Sequence, residues 1–222
     1  MPSETVRTRT PNRTSKRPPA KRLKKRRRKD PRRLRILIAL LAVVVLAGLV
    51  GNLIRLGVAD NHVPAWISQQ ILPEDCDSRQ GEKLSEVRDI AIHYVGNPGT
   101  TAQQNRDYFA QPTVDVNSHF VVGLEGEVIQ CIPLDEKSSA TNERNIDTIS
   151  IEVCHPDETG QFTEASYASL VKLTAWLCDH EHIGRDRVIR HYDVTGKLCP
   201  LYFVEHEDAW NQFKQDVKEY GS

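Results

Sequence analysis

A chain of 222 residues is long enough for one domain with its own core plus appendages. Its 30 basic and 30 acidic residues balance, yet residues 1–54 carry 16 bases and two acids, whereas residues 55–222 carry 14 bases and 28 acids. The two parts therefore have net charges of +14 and −14, and the acidic second part argues against nucleic acid as its partner.

A basic tail begins the chain. Residues 1–35 offer almost nothing apolar to bury, so we predict a disordered cytoplasmic tail. Residues 36–54 run 19 positions without a charge, and a helix of that length spans roughly 28 Å, about the thickness of a bilayer's hydrocarbon core. A cleavable signal peptide, cut near residues 57–59, is the alternative. The long apolar run and the basic segment before it favour an uncleaved transmembrane signal anchor.

The basic tail also predicts the orientation of this helix, because such segments stay in the cytoplasm. The expected protein is a single-pass protein of the cell membrane, with everything after the helix outside the cytoplasm. Disulfides are permitted in that compartment, and five cysteines leave at least one unpaired within the chain. The sequence leaves the pairing open for Cys76, Cys131, Cys154 and Cys178.

A connector over residues 55–82 follows, and its apolar residues 63, 66, 67 and 71 have the spacing of one short amphipathic helix. The compact domain is predicted over residues 83–222. Its fold class is α/β, a central mixed β-sheet flanked by helices and preceded by the transmembrane helix. We predict strands at 87–95, 147–156 and 186–194, a hairpin over 118–133, and helices at 100–110, 163–183 and 207–220.

The motif RHYDVTGKLCP, residues 190–200, contains His191 and Cys199 eight positions apart. A catalytic zinc site takes three protein ligands and keeps one position open, and one cysteine with two histidines is an accepted set. The third ligand is expected from another strand end that borders the same cleft. His93, at the end of IAIHYV and before a Gly/Pro turn, is the best placed candidate.

Four motifs carry a family resemblance: IAIHYVGNPGT, NSHFVVGLEGEVIQCIP, NIDTISIEV and RHYDVTGKLCP. In this order and spacing, residues 83–217 resemble the zinc N-acetylmuramoyl-L-alanine amidases, the family of T7 lysozyme-type amidases and peptidoglycan recognition proteins. The resemblance implies a central mixed sheet flanked by helices. It also implies cleavage of the amide between N-acetylmuramic acid and the L-alanine of the stem peptide in peptidoglycan.

The resemblance further implies roles for single residues. The ligands of a Zn²⁺ cofactor are His93, His191 and Cys199, and Glu152 matches the general base that takes a proton from the attacking water. Lys197, two residues before Cys199, is the candidate that stabilises the oxyanion of the transition state.

Two departures from the family pattern concern substrate recognition. Ser118 stands where T7-type members have a tyrosine, and the segment 137–145 lacks the histidine that many members carry there. Tyr94, Asn97 and Asn142 are candidate substrate-binding residues of the cleft. His119 is a further candidate, either for substrate binding or for support of the ligands.

The predicted function is that of a peptidoglycan hydrolase with a monomeric catalytic domain. Two alternatives remain open. A non-catalytic peptidoglycan-binding module would use the same fold without hydrolysis, and Cys199 together with Glu152 argues against it. An amidase acting on some other amide would keep the chemistry and change the substrate.

Overall fold

The computed structural model describes residues 62–221 and, before them, residues 32, 36, 38 and 40–45. In the unit Gly57–Ser222, six strands form one sheet in the order β1-β4-β3-β5-β2-β6. β3 and β4 form an antiparallel hairpin, and every other neighbouring pair is parallel. The strands are β1 (Ile67–Gln69), β2 (Asp89–Tyr94), β3 (Phe120–Val122), β4 (Val128–Gln130), β5 (Thr148–Val153) and β6 (Val188–Arg190).

Helices cover both faces of the sheet. Thr101 begins the first helix with a capping box, in which its hydroxyl accepts from Gln104 N and the Gln104 side chain accepts from Thr101 N. A threonine also begins the long helix Glu164–His180, with Thr163 as its N-cap residue. Between residues 62 and 221 the helices are α1 (Ala102–Phe109), α2 (Glu164–His180), α3 (His191–Thr195), α4 (Leu201–Glu205), α5 (Glu207–Glu219) and a 3-10 helix (Asn142–Ile146).

The strand alternation of β5 separates two cores. Ile149 and Ile151 face the larger core, which α2, α4 and α5 cover with residues such as Leu170, Phe203 and Phe213. The opposite face carries Ser150, Glu152 and, just after the strand, Cys154, beneath α1 and the β4–β5 loop, residues 131–147. The polar residues of β5 therefore all lie on the face that borders the candidate site.

The predicted strands, hairpin and three long helices are confirmed, with ends that differ by a few residues. The strand predicted over 186–194 ends at Arg190, because residues 191–195 form α3. The Asp193 carboxylate accepts from the Arg190 N–H at 2.8 Å and so caps the start of α3. Helix α4 lies in a segment for which the sequence pattern predicted no element.

The segment before residue 83 contributes to the sheet. Instead of the short amphipathic helix expected there, Ile67–Gln69 pairs with β4 as an edge strand. The Leu72 N–H continues this ladder to Cys131 O, and the Leu72 side chain is buried. Pairing with the open edge of β4 outweighs the helical spacing of the apolar residues.

The expected transmembrane helix over residues 36–54 is wrong. Within the part of the chain that the structure describes, no helix has the length and apolar character needed to cross a membrane. Residues 37, 39 and 46–54 of the predicted span, the tail apart from Arg32, and connector residues 55–61 lie outside the described residues. For the described residues, the corrected fold class is a mixed α/β domain with a central sheet and helices.

Candidate active site

Three neighbouring parallel strands bring the candidate residues to one edge of the sheet. His93 is the penultimate residue of β2, and Glu152 lies directly opposite it on β5. His191 follows the last residue of β6, the neighbour of β2 on its other side. Since the carboxyl ends of parallel strands meet at one edge, residues far apart in sequence converge there.

Helix α3 folds the chain so that Cys199 returns to this edge. The helix has barely one turn and ends at Gly196, whose φ of 75° is a left-handed conformation that favours glycine. The Tyr192 N–H then donates to Cys199 O at 2.9 Å. This hydrogen bond brings the two ends of the segment 191–199 together and places Cys199 beside His93 and His191.

The three predicted ligands form a compact buried cluster. One ligand atom each from His93, His191 and Cys199 lie within 4.8 Å of one another, and the Cys199 Sγ is 3.8 Å from the His93 Nδ1. All three residues are at most 5% exposed. Two imidazoles and one thiol are a donor set that suits zinc, so the residues present fit this ion.

Burial fixes the protonation of the two imidazoles. Desolvation lowers the pKa of His93 well below its ordinary value, with smaller contributions from His191 and Lys197. Desolvation also lowers the pKa of His191. Both rings are therefore neutral near pH 7, as metal ligands must be. Burial raises the pKa of the Cys199 thiol to about 12, so metal binding would release its proton.

Glu152 has one oxygen that no described residue satisfies. Its Oε1 lies 3.9 Å from the His93 Nδ1, and its buried Oε2 has no hydrogen-bond partner within the described structure. Desolvation raises the pKa of this carboxyl to about 8, and the charge of Lys197 opposes that shift. A buried, partnerless carboxylate oxygen beside a metal-type donor set marks a functional group, because structural carboxylates in such positions are paired.

A cavity of about 860 Å³ opens over this cluster. Its floor is formed by the three predicted ligands and Glu152, and Lys197 lies on its border. Tyr94 and Asn97, two of the predicted substrate-binding residues, line this cavity. The sequence pattern did not predict the wall formed by α1 and the facing loops, which contains Thr100, Gln104, Tyr108, Asn117, Ser139 and Ala140. The polar, exposed face of α1 was the one available signal for this wall.

The other two predicted substrate-binding residues do not line the cavity. His119 is fully buried under the β4–β5 loop, where its Nδ1 accepts from Ser150 N at 3.0 Å and its Nε2 lies 2.8 Å from Glu136 O. Asn142 contacts His191 instead, with 2.8 Å between Asn142 Oδ1 and His191 Nε2. Ser118 is likewise buried and donates to Phe120 O, so its hydroxyl does not reach the cleft.

A six-stranded mixed sheet with helices on both faces, and a buried His/His/Cys cluster beside a carboxylate, define an α/β protein with a candidate metal centre at its strand ends. The family model described as N-acetylmuramoyl-L-alanine amidase matches residues 83–202, more than half of the chain. The chain belongs to this family.

Relatives and solved structures agree with this membership. N-acetylmuramoyl-L-alanine amidase CwlL of Bacillus licheniformis is 27% identical over 157 residues, which cover 63% of this chain and 43% of CwlL. N-acetylmuramoyl-L-alanine amidase XlyB of Bacillus subtilis is 30% identical over 135 residues, 59% of this chain and 42% of XlyB. The catalytic domain of XlyA superposes with a TM-score of 0.60 at 25% identity, covering 68% of this chain and 98% of that domain. The chain thus matches less than half of the length of these curated relatives.

Proposed function

We propose that this protein hydrolyses the amide bond between N-acetylmuramic acid and L-alanine in peptidoglycan, with Zn²⁺ as its cofactor. The observation that carries the proposal is the buried His93/His191/Cys199 cluster with the partnerless oxygen of Glu152 on the adjacent strand. Membership of the amidase family and the amidase relatives support the same substrate. A recognition module that only binds would not need a ligand cysteine beside an unpaired carboxylate.

His93, His191 and Cys199 would hold the ion, and when bound it would supply a Lewis acid that lowers the pKa of a water. Burial raises the pKa of Glu152 to about 8, and the charge of a bound ion would lower it and favour the ionised form. The ionised Glu152 accepts the proton of the attacking water at its free Oε2. The protonated carboxyl then donates this proton to the nitrogen that leaves with the stem peptide. The partnerless oxygen suits this shuttle because no internal hydrogen bond must break first.

Lys197 is the proposed partner of the developing oxyanion. It is exposed at the border of the cavity, and its charge contributes to the pKa shifts of Glu152, His93 and Cys199. A cation in that position stabilises negative charge on the substrate carbonyl oxygen as the tetrahedral transition state forms.

We propose in addition that the domain works on the extracytoplasmic side, since peptidoglycan is a polymer of the cell wall. We also propose that the domain works as a monomer. Sedimentation of the purified chain and protease accessibility in intact protoplasts would test these two points. A dimer in solution, or complete protection of the domain in protoplasts, would contradict them.

The activity is tested with the full chain, loaded with one equivalent of zinc and incubated with purified muropeptides. Free stem peptide is the expected product, measured by mass spectrometry. Glu152→Gln should lower kcat by about 10²- to 10⁴-fold, the range for loss of a general base, while zinc content stays unchanged. A folded, zinc-loaded wild type that binds muropeptides without releasing peptide would refute the proposal in favour of a binding module.

A further inference from the structure

We propose that Thr141 and Asn142, adjacent residues of the β4–β5 loop, are positioning residues that fix the ring orientation and tautomer of the two histidine ligands. The inference rests on the zinc site of the proposed function. It assigns a role to a loop that lacks the histidine typical of the family pattern, and it takes Asn142 out of substrate binding.

The contact of Asn142 defines the tautomer of His191. The His191 Nε2 lies 2.8 Å from the Asn142 Oδ1, and an amide oxygen only accepts hydrogen bonds. The Nε2 of the neutral ring must therefore carry the proton and donate it. The lone pair of His191 is then on Nδ1, which becomes the one nitrogen able to bind a metal ion.

Thr141 makes the equivalent contact to the other ring. Its hydroxyl lies 3.2 Å from the His93 Nε2, in a pair of fully buried side chains. The opposite ring nitrogen, Nδ1, faces the Cys199 Sγ at 3.8 Å. If Nε2–H donates to the threonine, the Nδ1 lone pair points toward the thiol, so one loop holds both rings in the protonation state that a shared ion requires.

The loop is itself held rigidly enough for this task. The Asn145 Oδ1 accepts from Ala140 N at 3.1 Å and from Thr141 N at 2.6 Å, which fixes the backbone just before the two contacts. Arg144 donates to Asp147 at 2.7 Å and to Asp89, the first residue of β2, at 2.6 Å. The loop is thereby tied to the same strand that carries His93.

The backbone conformation of Asn142 indicates that its side chain is needed for the contact with His191. Its φ of 54° lies in the left-handed region, where glycine is the least strained residue and asparagine is tolerated. Glycine would satisfy the backbone alone, whereas asparagine adds the oxygen that receives the His191 proton. Because Asn142 does not line the cavity, substrate contact gives no competing reason for this oxygen.

The test measures metal binding by the full chain, without substrate. Asn142→Gly removes the acceptor and relieves the backbone, and Thr141→Val removes the hydroxyl at nearly constant shape. We expect each to raise the zinc dissociation constant about 10- to 100-fold in chelator competition, the usual effect of losing a partner of a ligating histidine. The bands of the Co²⁺-substituted protein should shift as well. Thr141→Ser, which keeps the hydroxyl, should bind zinc like the wild type, and Asn142→Asp, which keeps the acceptor and adds a negative charge, should bind zinc at least as tightly.

Ile146→Ala is the matched control, because Ile146 is an exposed residue of the same 3-10 helix. Unchanged zinc affinity and Co²⁺ spectrum in both Asn142→Gly and Thr141→Val, with a wild type that binds zinc, would overturn the positioning role alone. An increase of KM in Asn142→Gly without loss of zinc affinity would also overturn it and return Asn142 to substrate binding. A wild type that binds no zinc would overturn both this inference and the proposed function.

Discussion

At the scale of single residues, burial decides which histidines are neutral. His119 is fully buried, and desolvation lowers its pKa to about 4 although the contact with Glu136 opposes the shift. Its neutral ring links the β4–β5 loop to Ser150 of β5, two residues before Glu152. The ring therefore supports the loop that carries the contacts to His93 and His191.

The lowered pKa of His119 makes stability depend on pH. The ring binds a proton near pH 6.5 when unfolded but only near pH 4 when folded, so the unfolded state gains protons first as pH falls. We expect this residue to contribute about 3 kcal/mol that is present above pH 6.5 and lost between pH 6.5 and 4. Urea unfolding of wild type and His119→Gln across this range measures it. Parallel pH curves for the two proteins would contradict the expectation.

Lys197 should affect the rate and leave the metal site intact. Lys197→Met removes the charge beside the developing oxyanion and should lower kcat by about 10²- to 10³-fold, the loss seen when one oxyanion donor is removed. Zinc affinity should change little, because Lys197 is not among the candidate ligands. Steady-state kinetics on muropeptides, with Leu198→Met as an exposed neighbouring control, decide the matter. A change confined to KM would assign Lys197 to substrate binding.

The candidate ligands and the candidate base were more predictable from the sequence than the residues that hold them in place. The spacing of His191 and Cys199 predicted a shared ion, whereas the role of Glu152 was implied only by the family resemblance. The contacts of Thr141 and Asn142 were not predictable, because their partners lie 48 and 49 residues away and a hydroxyl or amide has no distinctive spacing. In the sequence, His119 is as plausible a metal ligand as any other histidine. Only its burial under the β4–β5 loop distinguishes it from His93 and His191.

At the scale of elements, the segment from residue 62 to residue 88 is part of the fold. It supplies β1 and the buried Leu72, and it carries Arg79, whose guanidinium makes a two-pronged ion pair with Glu136 at 2.8 and 2.9 Å. Both side chains of this pair are 9% exposed. Such a pair is costly to break singly, because the remaining charge is left buried without its partner.

We therefore expect Arg79→Met to destabilise the domain by about 3–5 kcal/mol. The double variant Arg79→Met/Glu136→Leu should recover part of this loss, since it leaves no buried charge. Urea denaturation of both variants and of Glu136→Leu measures the coupling. Additive losses in the double variant would show that the ion pair has no special role in attaching this segment.

Helices and strands were predictable where their sequence signal involves residues close together in the chain. The capping signal of Thr101 and the stripe of α2 are local, and both helices form where they are expected. Strand β1 was missed because its pairing with β4, more than 60 residues along the chain, cannot be read from the spacing of apolar residues. The predicted transmembrane helix is contradicted, since no helix among the described residues is long and apolar enough to cross a membrane.

At the scale of the whole molecule, the proposed ion joins chain segments that meet only in the folded state. His93 lies on β2, His191 begins α3, and Cys199 lies four residues after the end of α3. Binding to the folded state alone should raise the free energy of unfolding by about 2.7 kcal/mol when free zinc is 100 times its dissociation constant. A chelator should reverse the gain in a thermal melt. Cys199→Ser should lose it and Cys76→Ser should keep it, whereas equal shifts in both variants would contradict the assigned ligands.

The position of β2 between β5 and β6 also has a kinetic consequence for backbone amides. All its residues except Tyr94 are buried, so their protons exchange with solvent only when the whole domain unfolds. The segment that returns from α3 to Cys199 contains the exposed Lys197 and Leu198, and it can open locally. The cluster thus combines His93, on a strand protected until the domain unfolds, with Cys199, at the end of a segment that opens locally. Because a bound ion raises the free energy of unfolding, it would slow exchange in β2 as well as in that segment.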